Sequence, residues 1–382
     1  MVRRSPRSPP YRTLGELEGL ARRVLSPAVR GYVDGGAGAE RTREANVDAF
    51  SAWSLRPRAL RGLREVSLAT TFLGTEVRAP FFVAPTAYQR ELHPDGERGT
   101  ARAAGRLRVL GVYSTLSSDS LEAIGAAAGA GPRWFQLYPQ PEWRASLALV
   151  RRAERAGYTA LVLTIDTPVL GSRDRQIESG FALRRQPRVG NGSGVVTPAR
   201  GPEWNGGTYA LGSEAAELSW TVVERLAGST SLPLVVKGVL SAEEAGRAVD
   251  AGAQAVIVSN HGGRQLDRAP ASLHALPAVA RAVGRRAEVY LDGGVRRGSD
   301  VLVALALGAR GVGVGRPVLW ALAVGGAAGV DRYLRLLGTE VANSMLLLGC
   351  ASPKEVRRSA VGPSGTPPAS LPREPPGARR RG

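Results

Sequence analysis

His261 and Arg264 stand three positions apart in Ser259-Asn260-His261-Gly262-Gly263-Arg264-Gln265-Leu266-Asp267, directly after the apolar run Ala255-Val256-Ile257-Val258. An imidazole can take a proton near neutral pH, and a guanidinium can hold a carboxylate through two parallel bonds. The pair therefore offers a general base beside an anion clamp, at the end of a segment apolar enough to be a buried strand. Three histidines, His93, His261 and His274, are all the chain has, so candidates for a neutral-pH base are few. By itself a His-Gly-Gly-Arg string serves a turn as readily as a site, and the rest of the chain has to decide between them.

Lysine usage adds a second candidate. Lys237 and Lys354 are the only lysines among 51 basic residues. A lysine kept inside the apolar run Pro233 to Val239 marks a position where a compact ammonium is needed and a planar guanidinium does not fit. Cys350 is the single cysteine, which excludes an internal disulfide, a thiolate metal cluster and a Cys-x-x-Cys pair. Redox chemistry would have to come from a cofactor.

The length of 382 residues and 43% hydrophobic content suit a globular protein with a substantial core. No apolar stretch approaches the roughly 20 residues needed to span a bilayer, and the Arg- and Pro-rich start has no apolar core after it, so a soluble cytoplasmic protein without a signal peptide is expected. The formal charge of +18 raises nucleic-acid binding. Half of that excess lies in two Pro-rich ends, 1–12 and 357–382, and the body has no basic motif interleaved with aromatics. Nucleic acid is therefore not expected as a partner. Residues 1–12 and 359–382 are expected to be disordered tails, and 13–358 a single domain.

From residue 81 onward short apolar runs alternate with amphipathic segments. Strands are expected at Phe81 to Pro85, Val109 to Thr115, Arg133 to Tyr138, Ala160 to Asp166, Pro233 to Val239, Gln254 to Asn260, Glu288 to Gly293 and Gly311 to Gly315, with helical segments such as Trp143 to Ala156 and Ala242 to Ala251 between them. Eight such repeats over about 250 residues predict a (β/α)8 TIM barrel. An open doubly wound sheet is disfavoured because Pro85-Thr86-Ala87-Tyr88, not a Gly-rich turn, follows the first strand. The residues before the barrel read as helical lead-in segments covering its bottom or side. The long connection after the fourth strand reads as a lid over about 175–218.

In a TIM barrel the chemistry sits at the carboxyl ends of the strands. Those ends carry Pro85, Thr86 and Ala87, then Ser114, Gln136 and Tyr138, Thr164 and Asp166, Lys237, Ser259 and His261, Asp292 and Arg296, and Gly315 with Arg316. Each alone could be a capping or turn residue, but together they are a polar rim. The strings Leu291-Asp292-Gly293-Gly294-Val295-Arg296-Arg297-Gly298 and Gly311-Val312-Gly313-Val314-Gly315-Arg316-Pro317 combine glycines with arginine after the last two strands, where barrel enzymes hold a cofactor phosphate.

With these motifs the chain resembles the FMN-dependent 2-hydroxy acid oxidase and dehydrogenase family. Ala84-Pro85-Thr86-Ala87, His93-Pro94-Asp95-Gly96-Glu97, Trp134 to Tyr138, Leu163 to Pro168, Val236-Lys237-Gly238 and Ser259 to Asp267 match it, as do the two glycine-arginine strings, and the match runs from about 14 to 358. The resemblance implies FMN as cofactor and His261 as the base, with Asp166 stabilising its imidazolium. It implies Arg264 and Arg173 as the carboxylate clamp and Tyr32 and Tyr138 as substrate contacts. Lys237 would lie beside the flavin ring, and Pro85, Thr86, Ala87, Ser114, Gln136, Thr164, Ser259, Asp292, Gly294, Arg296, Gly315 and Arg316 would contact FMN. The reaction implied is oxidation of an (S)-2-hydroxy acid to the 2-keto acid, with Ala87 leaning towards oxygen as acceptor and a homo-oligomer, a tetramer, as the assembly.

Leu116 stands where plant glycolate oxidases carry Trp, which enlarges the substrate pocket. The strings Ala87 to Arg90, Thr115 to Ser118 and Trp134 to Tyr138 are most similar to those of 4-hydroxymandelate oxidases, so an aryl 2-hydroxy acid is the expected substrate, with small or aliphatic acids as the alternative.

Overall fold

In the computed structural model residues 11–181, 189–192, 195–197, 199–200 and 218–365 are described. Eight parallel strands close a barrel: β1 (Phe81–Val83), β2 (Leu110–Ser114), β3 (Arg133–Leu137), β4 (Leu161–Thr164), β5 (Leu234–Val239), β6 (Ala255–Val258), β7 (Glu288–Asp292) and β8 (Gly311–Val314). Each pairs with its sequence neighbours and β8 pairs back onto β1. Every expected strand is present, and all but β5 end one or two residues early because the chain bends into the site at the carboxyl end. The helices that follow are α1 (Gly96–Arg106), α2 (Leu121–Ala128), α3 (Trp143–Arg155), α4 (Trp220–Ala227), α5 (Ala242–Asp250), α6 (Ser272–Val283), α7 (Gly298–Ala306) and α8 (Arg316–Leu348). In α3 the buried Ser146, Leu149, Val150 and Ala153 recur at helical spacing and face the barrel. Ser120 and Ser241 start α2 and α5 by accepting the backbone N–H groups of Ala123 and Glu244.

Strand register lines up the rim. Ser114 lies opposite Gln136, and Thr164 opposite Lys237, so side chains far apart in sequence share one layer. Below that layer the barrel interior is filled by Phe82, Val112, Trp134, Val162, Val235, Ile257 and Tyr290.

Of the two places expected for the lead-in helices the bottom is not the one they take, and both expected domain ends need correction. The barrel bottom is closed by a β-hairpin, Thr70–Phe72 with Thr75–Val77, and not by helices. Its fully buried Phe72 meets Tyr290 edge-on with ring centroids 5.2 Å apart, and Phe82 at 6.3 Å. The helices Leu14–Val24, Pro27–Asp34 and Arg41–Ser51 pack elsewhere, Pro27–Asp34 and Arg41–Ser51 reaching the rim of the mouth. The described fold also runs past both expected domain ends. Tyr11 is fully buried, and Val361–Pro363 pairs antiparallel with Trp53–Leu55, hydrogen bonds that a boundary at 358 would leave unmade. Of the expected lid, the helix Asp174–Glu178 and the short strand Ala199–Arg200, paired with Val169–Leu170, are described. The rest of it lies largely outside the described residues, as do 1–10 and 366–382. Among the described residues no helix is long and apolar enough to cross a membrane.

Candidate active site

The loop after β6 turns sharply into the barrel mouth. His261, Gly262 and Gly263 have consecutive positive φ values of 59°, 66° and 75°. Histidine tolerates that region better than bulky or branched residues, and such a conformation recurs at functional sites. The turn is fixed from outside by a reciprocal amide pair: Asn46 Nδ2 donates to Asn260 Oδ1 at 2.8 Å and Asn260 Nδ2 to Asn46 Oδ1 at 2.9 Å. Ser259 accepts the His261 N–H at 3.1 Å and donates to Asp292 at 2.6 Å, tying β6 to β7.

His261 Nδ1 donates to Asp166 Oδ1 at 3.0 Å, which leaves the Nε2 lone pair facing the mouth. Tyr138 Oη lies 3.5 Å from that Nε2. Burial lowers the imidazole below its ordinary value; Asp166 opposes the shift, while Lys237 and Arg173 add to it. His261 is thus a neutral base at neutral pH. Burial would raise the Asp166 carboxyl, but His261, Lys237 and a hydrogen bond from Thr167 outweigh it and hold it at about 2, so it stays ionised. Gly238, with φ 111°, lets β5 come close: a Cβ there would lie 2.7 Å from Asp166 Cβ.

Arg264 Nη1 donates to the carbonyls of Tyr32 at 2.8 Å and Gly35 at 2.9 Å, and its guanidinium sits 5.2 Å from the Tyr32 ring centroid. Arg173 Nε donates to the Arg264 carbonyl at 3.3 Å. Burial first, and Arg173 second, bring Arg264 down to about 9; it remains charged at neutral pH. Arg173 is close enough to act on the Arg264 charge, and among the described residues neither guanidinium has an ion-pair partner, an arrangement that calls for an anion. Burial raises the Tyr32 and Tyr138 phenols, keeping both neutral and able to donate. Tyr32 Oη donates to the Ala87 carbonyl at 3.2 Å, and its ring stacks on Phe181 with centroids 4.6 Å apart.

A polar chain crosses the other side of the mouth. Ser114 Oγ donates to Gln136 Oε1 at 2.8 Å, and Gln136 Nε2 to Thr164 Oγ1 at 3.0 Å. Lys237 is 3% exposed, and its nearest carboxylate oxygen, on Asp292, is 3.8 Å away. Pro85, Thr86 and Ala87 follow β1 directly, with Thr86 Oγ1 accepting from Gln89 at 3.0 Å.

The expected phosphate end differs in detail from its sequence reading. Arg316 spends its guanidinium on the backbone carbonyls of Val33, Gly35 and Gly262, and Arg296 lies 5.2 Å over Trp320 and donates to the Val295 carbonyl. Gly294 serves packing: a Cβ there would fall 1.9 Å from the Asn46 carbonyl oxygen. The residues nevertheless fit a phosphorylated flavin. Burial, then the charges of Arg264, Arg296 and Arg43, drive Arg316 well below the usual guanidinium value, with Asp34 alone opposing among the leading influences. Three guanidiniums act on Arg316, and among the described residues only Arg43 of these has a carboxylate in ion-pair reach, Glu40 at 3.3 Å, so a bound anion would relieve the excess charge. The N-terminus of α8 at Gly315 has no side-chain cap, and a Cβ on Gly315 would meet nothing nearer than Thr86 Cγ2 at 3.9 Å, so the space before that helix end is open.

The structure thus gathers His261, Asp166, Tyr138, Arg264, Arg173, Tyr32 and Lys237 at one mouth. Four neighbours were given no role in the sequence reading. Thr167 donates to Asp166 at 3.0 Å. Gln265 donates to the carbonyls of Asp166 and Val169 and accepts from Arg173 at 3.2 Å, joining base and clamp. Tyr88 and Phe181 flank Tyr32. Thr167, Gln265 and Tyr88 sit inside or beside the motif strings, and that adjacency was the available signal; nothing in the sequence marked Phe181.

The profile of the family described as FMN-dependent dehydrogenase matches residues 21–363. The peroxisomal (S)-2-hydroxy-acid oxidase GLO4 of Oryza sativa subsp. japonica is 43% identical over 349 residues, 91% of this chain and 94% of that protein. The L-lactate oxidase of a Nostoc strain is 44% identical over 352 residues, 91% and 96% of the two chains. A mandelate oxidase solved with benzoyl-formic acid superposes with a TM-score of 0.84 at 43% identity, covering 92% of this chain and 98% of the other. A closed barrel, a base and carboxylate pair at its mouth, a cationic end suited to a phosphate and a match over almost the whole length agree: the chain belongs to the FMN-dependent dehydrogenase family, whose members work through bound FMN.

Proposed function

We propose that this FMN-dependent 2-hydroxy acid oxidase acts on aryl (S)-2-hydroxy acids of the mandelate type. The observation that carries the general chemistry is the unprotonated Nε2 of a neutral His261 at the mouth beside Tyr138, backed by ionised Asp166 and close to Arg264 and Arg173. Arg264 and Arg173 hold the substrate carboxylate, and Tyr32 and Tyr138 donate to its oxygens. His261 takes the hydroxyl proton as hydrogen leaves Cα with its electron pair, or takes the Cα proton itself; in both routes Asp166 stabilises the imidazolium. FMN, when bound, accepts the two electrons, and oxygen takes them on to give hydrogen peroxide alongside the 2-keto acid. Ser114, Gln136, Thr164, Lys237, Ser259 and Asp292 would hold the ring side of FMN, and Gly294, Arg296, Gly315 and Arg316 its phosphate side.

The aryl substrate is supported by the walls. Tyr32 stacked on Phe181, Tyr88 beside Tyr32, and Leu116 where a larger indole could stand make an apolar, aromatic pocket suited to a ring. The reading extends to a cytoplasmic homotetramer built on one barrel domain per chain.

Anaerobic bleaching of the bound flavin tests it, comparing glycolate, lactate, 2-hydroxyoctanoate and both mandelate enantiomers. (S)-Mandelate should bleach the flavin fastest. Faster reduction by glycolate or lactate would remove the aryl substrate and leave the oxidase.

A further inference from the structure

Arg173 reaches the mouth at the end of the stretch that leaves β4, and little holds it there. Among the described residues its guanidinium has two hydrogen-bond partners, the Arg264 carbonyl at 3.3 Å and Gln265 Oε1 at 3.2 Å. Gln265 in turn spends its whole amide on that stretch. Its Nε2 donates to the carbonyls of Asp166 at 2.9 Å and Val169 at 2.8 Å, and its Oε1 accepts from the Gly171 N–H at 3.3 Å as well as from Arg173. Two donors and two acceptor sites are all that a primary amide has. The main chains are pressed together at the same place, where a Cβ on Gly171 would lie 2.5 Å from the carbonyl oxygens of both Arg264 and Gln265.

A carboxylate in place of that amide would set its lone pairs against the Asp166 and Val169 carbonyls and would pair with Arg173 where a substrate should. An apolar side chain would leave both carbonyls and the guanidinium short of a partner. A long cationic side chain that is not held beforehand has to be ordered at each binding event, at a cost in affinity. We propose that Gln265 is a positioning residue that fixes Arg173 in the clamp before substrate arrives, so that the preference of the site for a carboxylate over a neutral head group depends on it. The proposal rests on the reading of Arg264 and Arg173 as the carboxylate clamp. The role is separate from that of the base: His261 bonds the Asp166 side chain, whereas Gln265 holds the Asp166 main chain, so losing Gln265 leaves the imidazole and carboxylate pair in place.

Gln265→Met keeps the length of the side chain and removes all four bonds. Flavin absorbance changes report the Kd of benzoylformate and of its primary amide, benzoylformamide, which differ at the head group alone. The wild type should bind the acid more tightly, and in Gln265→Met that preference should fall about tenfold, the scale of one hydrogen bond to a charged group. Pyruvate and pyruvamide give the same comparison without a ring, so the result does not depend on the aryl reading. The acid limb of flavin reduction should stay in place in Gln265→Met. Gln265→Glu can still accept from Arg173, and it should lose the acid preference further because its own carboxylate occupies the clamp. Acid and amide weakened alike, a preference kept in both variants, or an acid limb that moves in Gln265→Met would overturn the proposal. The Gln265→Glu comparison decides the matter if Gln265→Met does not accumulate with FMN bound. Should the wild type bind acid and amide equally, the clamp reading falls and this inference with it; should the wild type and both variants all prefer the acid equally, the clamp stands and the role of Gln265 falls alone.

Discussion

Asp166→Asn isolates the charge behind the base. The Asn side-chain oxygen can still accept the His261 Nδ1–H now bonded at 3.0 Å, so ring orientation and tautomer survive while the negative charge is lost. Two unit charges with centres about 4 Å apart attract by about 4 kcal/mol at an effective dielectric near 20, and a neutral hydrogen bond returns roughly 1 kcal/mol of that. The imidazolium formed in the reaction should therefore be less stable by about 3 kcal/mol, slowing flavin reduction on the order of 10²-fold. The same loss has a signed effect on pH dependence. In the wild type kcat/KM rises with pH as His261 deprotonates, with its midpoint below the ordinary histidine value of about 6.5 because burial lowers it. Asp166 opposes that lowering, so removing its charge must move the acid limb further down. Rapid-mixing measurement of anaerobic reduction between pH 4.5 and 8 reads both quantities. A rate loss under about threefold, or an acid limb that moves up, would refute this account of the pair.

Arg264→Lys leaves a charge but cannot keep both carbonyl bonds and a forked grip on a carboxylate, so steady-state assays should show KM raised roughly 10- to 100-fold; an unchanged KM would place the clamp elsewhere. Leu116→Trp adds bulk beside the Tyr88 turn, and overpacking of about 1 to 3 kcal/mol predicts that mandelate turnover falls roughly ten- to a hundredfold more than glycolate turnover. Equal losses for both substrates would mean that Leu116 only packs between strand ends. Phe72→Ala empties the plug under the barrel and should destabilise the protein by about 3 to 5 kcal/mol in denaturant titration, with substrate KM unchanged; a shift under about 1 kcal/mol would show that the hairpin does not close the core.

The barrel was legible because its strands are buried on both faces and read as apolar runs such as Ala255–Val258, or Leu161–Thr164 up to its polar last residue. The rim was legible for a related reason, since each polar residue follows such a run and strand register does the rest. What lay hidden depends on where a turn points. Gln265 lies close to His261 in sequence, yet the hydrogen bond that joins it to Arg173 needs the three left-handed residues that reverse the chain after β6, and the bond from Thr167 to its neighbour Asp166 depends on how the chain leaves β4. Phe181 meets Tyr32 across a long sequence separation, with no local pattern to announce it. The hairpin under the barrel was missed because three-residue strands leave too little alternation to separate them from a loop. That Arg316 also grips the carbonyls of Val33 and Gly35 had no sequence signal, because folding alone brings those carbonyls to it.

Those carbonyls have a consequence for how the protein comes into being. Arg316 grips Val33 and Gly35, and Arg264 grips Tyr32 and Gly35, across separations of 283, 281, 232 and 229 residues. Synthesis runs from the amino end, so Tyr32 and its helix leave the ribosome long before either arginine exists. Until β8 and the start of α8 have emerged, that helix lacks the grip of Arg316 on Val33 and Gly35. A nascent chain ending between Asp292 and Arg316 would carry the base, the carboxylate behind it and most of the barrel, and still lack the Arg316 grip on Val33 and Gly35. The last of these contacts is thereby made only as β8 closes the barrel on β1, late in translation.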